Sequence, residues 1–111
     1  MHFGAVDWKA EVWVNDVKVG EHTGGFTPFY FDITSVLNKG NNDLVVKVWD
    51  PSDRGEQPRG KQIANPHGIW YTPVTGIWQT VWLEPVATQY ITNLKTTPDI
   101  DNNSVKVEVA A

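Results

Sequence analysis

Between Asn65 and Val86 the chain reads NPHGIWYTPVTGIWQTVWLEPV, placing Trp70, Tyr71, Trp78 and Trp82 within twenty-two residues although aromatics make up only 12% of the whole. Trp70 and Tyr71 follow Asn65-Pro66-His67-Gly68, an irregular segment in which turns, and not a sheet pleat, aim the side chains. Aromatic rings cover the apolar C–H faces of sugars, while amide, imidazole and guanidinium groups bond the hydroxyls. Arg59, Asn65, His67, Trp70 and Tyr71 could supply that set and are the candidate sugar-contacting residues. The competing use of the same rings is packing at a domain interface, where aromatics are also favoured.

Other chemistries find less support. Retaining glycoside hydrolysis requires two carboxylates about 5 to 5.5 Å apart, one of them protonated near neutrality. The chain has 13 acidic residues. Glu11 and Glu108 fall opposite valines in alternating strands, Asp16, Asp99 and Asp101 fall in turns, and Asp43 starts a strand; these are ordinary solvated positions. No catalytic residue is assigned. His2, His22 and His67 lie in no nucleophile motif, and Ser35, Ser52 and Ser104 fall in turns or loops. Metalloprotease, dinucleotide and phosphate-loop signatures are absent. Asp50 and Asp53 flank Pro51-Ser52 and could bind Ca²⁺ or Na⁺ through oxygens, but an Asx-type turn is the plainer account, and no other cofactor or metal is implied.

A chain of 111 residues makes one domain, or a domain and the beginning of another. The formal net charge is -4 and Lys and Arg are scattered, so no nucleic-acid partner is expected. No apolar run approaches the roughly 20 residues of a membrane span, which predicts a soluble chain with no membrane partner. Without cysteine there is no disulfide framework, thiolate metal site or thiol nucleophile. The compartment stays open: MHFGAVDW lacks the basic region and apolar run of a signal peptide, and an upstream segment is expected to be missing.

The elements that would position these residues are strands. In KAEVWVN, Ala10, Val12 and Val14 alternate with Glu11, Trp13 and Asn15, and Asn15-Asp16 tolerates the positive φ of a tight hairpin turn returning through VKVGEHT to Gly24-Gly25. Phe29, Phe31 and Ile33 alternate with Tyr30 and Asp32. DITSVLNKGNN carries a helical turn at most, and Leu44, Val46 and Val48 then alternate with Val45, Lys47 and Trp49. PSDRGEQPRGKQ is a long polar loop of the kind that often carries function. Ile77, Val81 and Leu83 against Trp78, Thr80 and Trp82 predict one strand running to Pro85, where a domain boundary is placed. YITNLKTTP, a turn at DIDNN, and SVKVEV then predict a hairpin. The class is all-β, an antiparallel sandwich. A Trp buries roughly 150 to 250 Å², so Trp78 and Trp82 are expected to be covered, one face of their strand by the opposing sheet and the other by a neighbouring domain or a second copy.

HFGAVDWKAEVWVNDVKVGEHTGGFTPFYFDIT, NDLVVKVWDP and GIWYTPVTGIWQTVWLEP, in that order, resemble the galactose-binding-like jelly-roll domain that opens the family 2 glycoside hydrolases of β-galactosidase, β-glucuronidase and β-mannosidase type. The resemblance implies that residues 1–85 are the later part of a jelly-roll sugar-binding domain and that 86–111 begin an immunoglobulin-like sandwich. It further implies a downstream barrel carrying two catalytic glutamates outside this chain. Carbohydrate and those downstream domains are the implied partners, and unpaired strand edges predict self-association. Some relatives place a sugar-contacting aspartate in the loop matching NPHGIWYTP; this sequence has none there. The implied function is therefore a non-catalytic sugar-binding or scaffold piece of an enzyme that cleaves O-glycosyl bonds. An autonomous carbohydrate-binding module and a plain interaction sandwich are the alternatives.

Overall fold

Valines at every second position decide the first sheet. In the computed structural model, which describes residues 1–111, β1 (His2–Phe3) and β2 (Val6–Asp7) lead into β3 (Lys9–Val14), whose Ala10, Val12 and Val14 are buried while Lys9, Glu11 and Trp13 are partly open. β4 (Val17–Thr23) returns beside it through Asn15 and Asp16, at φ 49° and 64°, the left-handed pair that a two-residue hairpin turn demands. The Asn15 amide nitrogen donates to the Val36 carbonyl (2.8 Å) and to Asn42 Oδ1 (2.7 Å), and its Oδ1 accepts from the Asp43 amide (3.0 Å). One side chain thus ties the hairpin tip to the segment that follows β5 (Phe29–Tyr30) and a 3-10 turn at Thr34–Val36.

β6 (Leu44–Trp49) pairs with the other edge of β3, setting Val48, Val46 and Leu44 opposite Ala10, Val12 and Val14. The order β4-β3-β6 makes one layer. A second layer, β5-β1-β8, forms when β8 (Val81–Trp82) pairs with β1. Phe3 is fully buried between Phe29 and Val81 and stacks on Phe29 at 4.8 Å. Phe3, Val6, Ala10 and Val12 form the core, with Phe29, Phe31, Val46, Val48 and Val81 packed against them. The architecture is an all-β antiparallel sandwich, and no helix is long and apolar enough to cross a membrane.

The single strand predicted from Ile77 to Leu83 is a correction. β7 (Gly76–Ile77) pairs with β2, β8 pairs with β1, and between them the amides of Trp78 and Gln79 both donate to the Ala5 carbonyl at 3.3 and 3.4 Å. Two residues facing one make a β-bulge, which leaves an extra residue unpaired and bends the strand. Gly4 permits this, since a Cβ there would stand 2.7 Å from Gln79 Cβ.

The cover expected over the tryptophans from a neighbouring domain or a second copy lies outside this chain. Within the chain Trp78 and Trp82 remain 51% and 42% exposed, because the layer bearing them packs on the core through its other face. Eight of 111 residues are buried, and the radius of gyration of 18.8 Å exceeds the roughly 13 Å of a compact chain this long.

β9 (Asn93–Asp99) and β10 (Ser104–Ala110) form the last hairpin, in a register that gathers Leu94, Val105, Val107 and Val109 on one face. Lys95, Lys106 and Glu108 occupy the other. The Asp99 carboxylate accepts from the Asn102 side chain (2.8 Å) and from the Asn102 and Asp101 amides (3.0 and 3.1 Å), which fixes the turn and holds its pKa below the usual Asp range.

Candidate functional site

The long polar loop has no regular period, yet its own side chains brace it. Asp50 Oδ1 accepts from the Ser52 amide at 2.7 Å, with Ser52 at φ 57°, and Asp50 Oδ2 accepts from the Thr75 hydroxyl at 3.1 Å. Asp53 Oδ2 accepts from the Ala64 amide at 2.9 Å, and the Gln57 amide donates to the Ser52 carbonyl at 2.7 Å. The carboxylates suggested as Ca²⁺ or Na⁺ ligands are therefore engaged by loop donors, and Asp50 makes the Asx-type turn. Farther along, the Tyr71 amide donates to the Lys61 carbonyl (2.7 Å) and the Ile63 amide to the Tyr71 carbonyl (3.0 Å), so 61–63 and 71 run side by side.

Pairing of β2 with β7 sets Asp7 opposite Gly76 and faces it toward this loop. Asp7, Asp50, Ser52, Arg59 and Gln62 line a narrow polar cleft. The Arg59 guanidinium donates to the Asp53 carbonyl at 2.9 Å, and Gln62 Oε1 accepts from the Val74 amide at 2.7 Å. Burial and then the Asp50 carboxylate raise the Asp7 pKa above its ordinary range, while the Gln62 amide works against them. The cleft is closed, with no room for a water molecule between its walls, so these groups serve as an internally bonded polar cluster that anchors the loop to β2.

Of the five sugar-contact candidates, Arg59 alone enters the cleft. Asn65, His67, Trp70 and Tyr71 are exposed along the outer part of the loop. His67 Nδ1 lies 2.9 Å from the Asn65 carbonyl, the Trp70 amide donates to the His67 carbonyl at 3.0 Å, and Lys61 Nζ stands 5.9 Å above the Tyr71 ring. Asp7 and Gln62 escaped the sequence reading. Nothing in VDW marks Asp7 out, because only the pairing of segments some seventy residues apart brings it to the loop.

The raised Asp7 pKa has a consequence for stability. The folded chain holds this proton to higher pH than the unfolded chain does, so stability falls as pH rises from the unfolded pKa through the folded one. Asp7→Asn is expected to melt a few degrees above wild type near neutrality and to lose that advantage below the ordinary Asp pKa. Melting curves at the two pH values check it; a variant that melts lower at neutrality would mean that Asp7 is held by a favourable partner.

Residues 1–85 match the family described as glycosyl hydrolases family 2, sugar binding domain. The chain is 34% identical over 108 residues to a putative beta-glucuronidase of Formosa agariphila, covering 96% of this chain and 12% of that protein. It is 40% identical over 86 residues to a beta-galactosidase of Thermoanaerobacter pseudethanolicus (76% and 11%) and 27% identical over 125 residues to the beta-glucuronidase of Canis lupus familiaris (97% and 19%). The chain thus spans less than a fifth of the length of each of these relatives.

Proposed function

This chain belongs to glycosyl hydrolase family 2 through its sugar-binding domain, and from that we propose that it is a non-catalytic sugar-binding and scaffolding piece of an enzyme that cleaves O-glycosyl bonds. On this reading residues 1–85 are part of a jelly roll and 86–111 begin an immunoglobulin-like sandwich. A barrel in the same parent enzyme supplies the two carboxylates of hydrolysis, and this chain borders its pocket. Arg59, Asn65, His67, Trp70 and Tyr71 are the proposed sugar contacts. The family match over 1–85 carries the reading. Unpaired strand edges, with the exposed apolar face of the β9–β10 hairpin, support self-association with a second copy.

Purified chain is expected to leave chromogenic β-glucuronides and β-galactosides uncleaved, and turnover free of contaminating hydrolase would overturn the proposal. The half-exposed tryptophans favour a second reading, an autonomous carbohydrate-binding module. Calorimetry with methyl β-glucuronide and methyl β-galactoside separates the two. A piece that only borders a pocket binds more weakly than about 1 mM, whereas a module that recruits glycans binds at least about tenfold more tightly.

A further inference from the structure

The bulge that breaks the predicted strand turns Trp78 and Trp82 toward an open groove of about 780 Å³ on the side of the β5-β1-β8 layer away from the core. Phe26, Pro28, Trp78, Gln79, Thr80 and Trp82 line it. The rings are held in place. The Trp78 indole N–H donates to the Gly25 carbonyl at 2.7 Å, and Phe26 meets the indole edge-on at 5.9 Å. Trp82 stacks on His2 at 4.9 Å, His2 on Tyr30 at 5.5 Å, and His2 Nε2 lies 3.1 Å from Glu84 Oε2.

None of these rings serves the core, which is filled by Phe3, Phe29, Phe31 and valines on the opposite face. Between the indoles stand Gln79 and Thr80, a hydrogen-bonding pair set into an aromatic wall without a charge in the lining. A protein partner would be met best by a continuous apolar face; alternation of ring faces with amide and hydroxyl groups matches a chain of pyranoses, each with apolar C–H faces and a rim of hydroxyls. The groove is separate from the polar cleft, with which it shares no lining residue. Gly25, which accepts the Trp78 indole, is buried against Asp7, and a Cβ on it would stand 2.7 Å from Asp7 Oδ1.

We infer that this groove is a carbohydrate site distinct from the long loop, a platform for a short β-linked oligosaccharide. The inference rests on the family reading for the class of ligand; its location comes from the ring geometry. Cellotetraose, β-1,4-mannotetraose and β-1,4-galactotetraose are titrated into the nitrogen-15-labelled chain while the indole N–H signals are followed. At least one is expected to shift Trp78 and Trp82, with Trp82→Ala weakening binding about tenfold, Trp82→Phe retaining most of it, and Trp70→Ala leaving it unchanged. Shifts at Trp70 with Trp78 and Trp82 unmoved would overturn the groove while leaving the family reading intact. Indoles unmoved by all three sugars, or covered by a second copy in sedimenting dimers, would overturn it as well. Hydrolysis of a glycoside by the chain would instead sink the non-catalytic reading and leave the groove standing.

Discussion

Phe3→Ala is expected to abolish the cooperative thermal transition of the chain. Phe3 is fully buried at the centre of β5-β1-β8, opposite Phe29 on one side and Val81 on the other, and is the largest side chain in the core. Truncating a buried Phe to Ala costs about 3 to 5 kcal/mol, the sum of lost transfer energy and the cavity left behind. A small domain commands about 5 to 15 kcal/mol in total, and one with eight buried residues sits at the low end. The Phe29 ring, 4.8 Å from Phe3, also contacts His22 at 4.2 Å and Phe31 at 5.6 Å, so it cannot simply collapse into the space. Phe3→Leu keeps most of the volume and should retain a transition at reduced temperature. Circular dichroism melts of the two variants check this, and a Phe3→Ala chain that melts like wild type would show that β1 lies outside the folding core.

How much of this was legible beforehand depends on the length of each element. β3, β4 and β6 run for six or seven residues, long enough for alternation to separate Ala10, Val12 and Val14 from Glu11 and Trp13, and the positive φ angles of Asn15 and Asp16 follow from residue type. The β9–β10 hairpin was legible for the same reason. By contrast, β1, β2, β7 and β8 have two residues each, too few to show any period. Their pairing is decided by the bulge at Trp78-Gln79 and by the bare Cα of Gly4, neither of which leaves a pattern along the chain.

The candidate site divides along the same line. The long loop stood out by composition, and Arg59 within it does enter the polar cleft. Asp7 comes from β2 and Gln62 hides among ordinary loop residues; long-range register alone unites them. The tryptophans were conspicuous by number, but their exposure depends on which face of a two-residue strand meets the core.

Gly20→Ala tests that kind of unpatterned close approach inside the core. Gly20 lies in β4 directly opposite the fully buried Val12, and a Cβ added there would stand 2.1 Å from Phe31 Cε1, 2.6 Å from Cδ1 and 2.7 Å from Cζ. The obstacle is a ring already packed against the core and Phe29, so it cannot swing aside like the end of a flexible chain. The backbone of Gly20 is not in the left-handed region, unlike that of Gly40, Gly60 and Gly68, where an added Cβ meets nothing. The penalty at Gly20 is therefore steric alone. Overpacking of this kind costs about 1 to 3 kcal/mol, and each kcal/mol lowers the melting temperature of a small domain by about 4 to 8 °C. If the clash with Phe31 is the cause, Phe31→Leu should cost less in the Gly20→Ala background than in wild type, since it vacates the space the new methyl needs. Strict additivity in that double-mutant cycle would mean that the two residues are not coupled and that β4 approaches the opposite layer by some other contact.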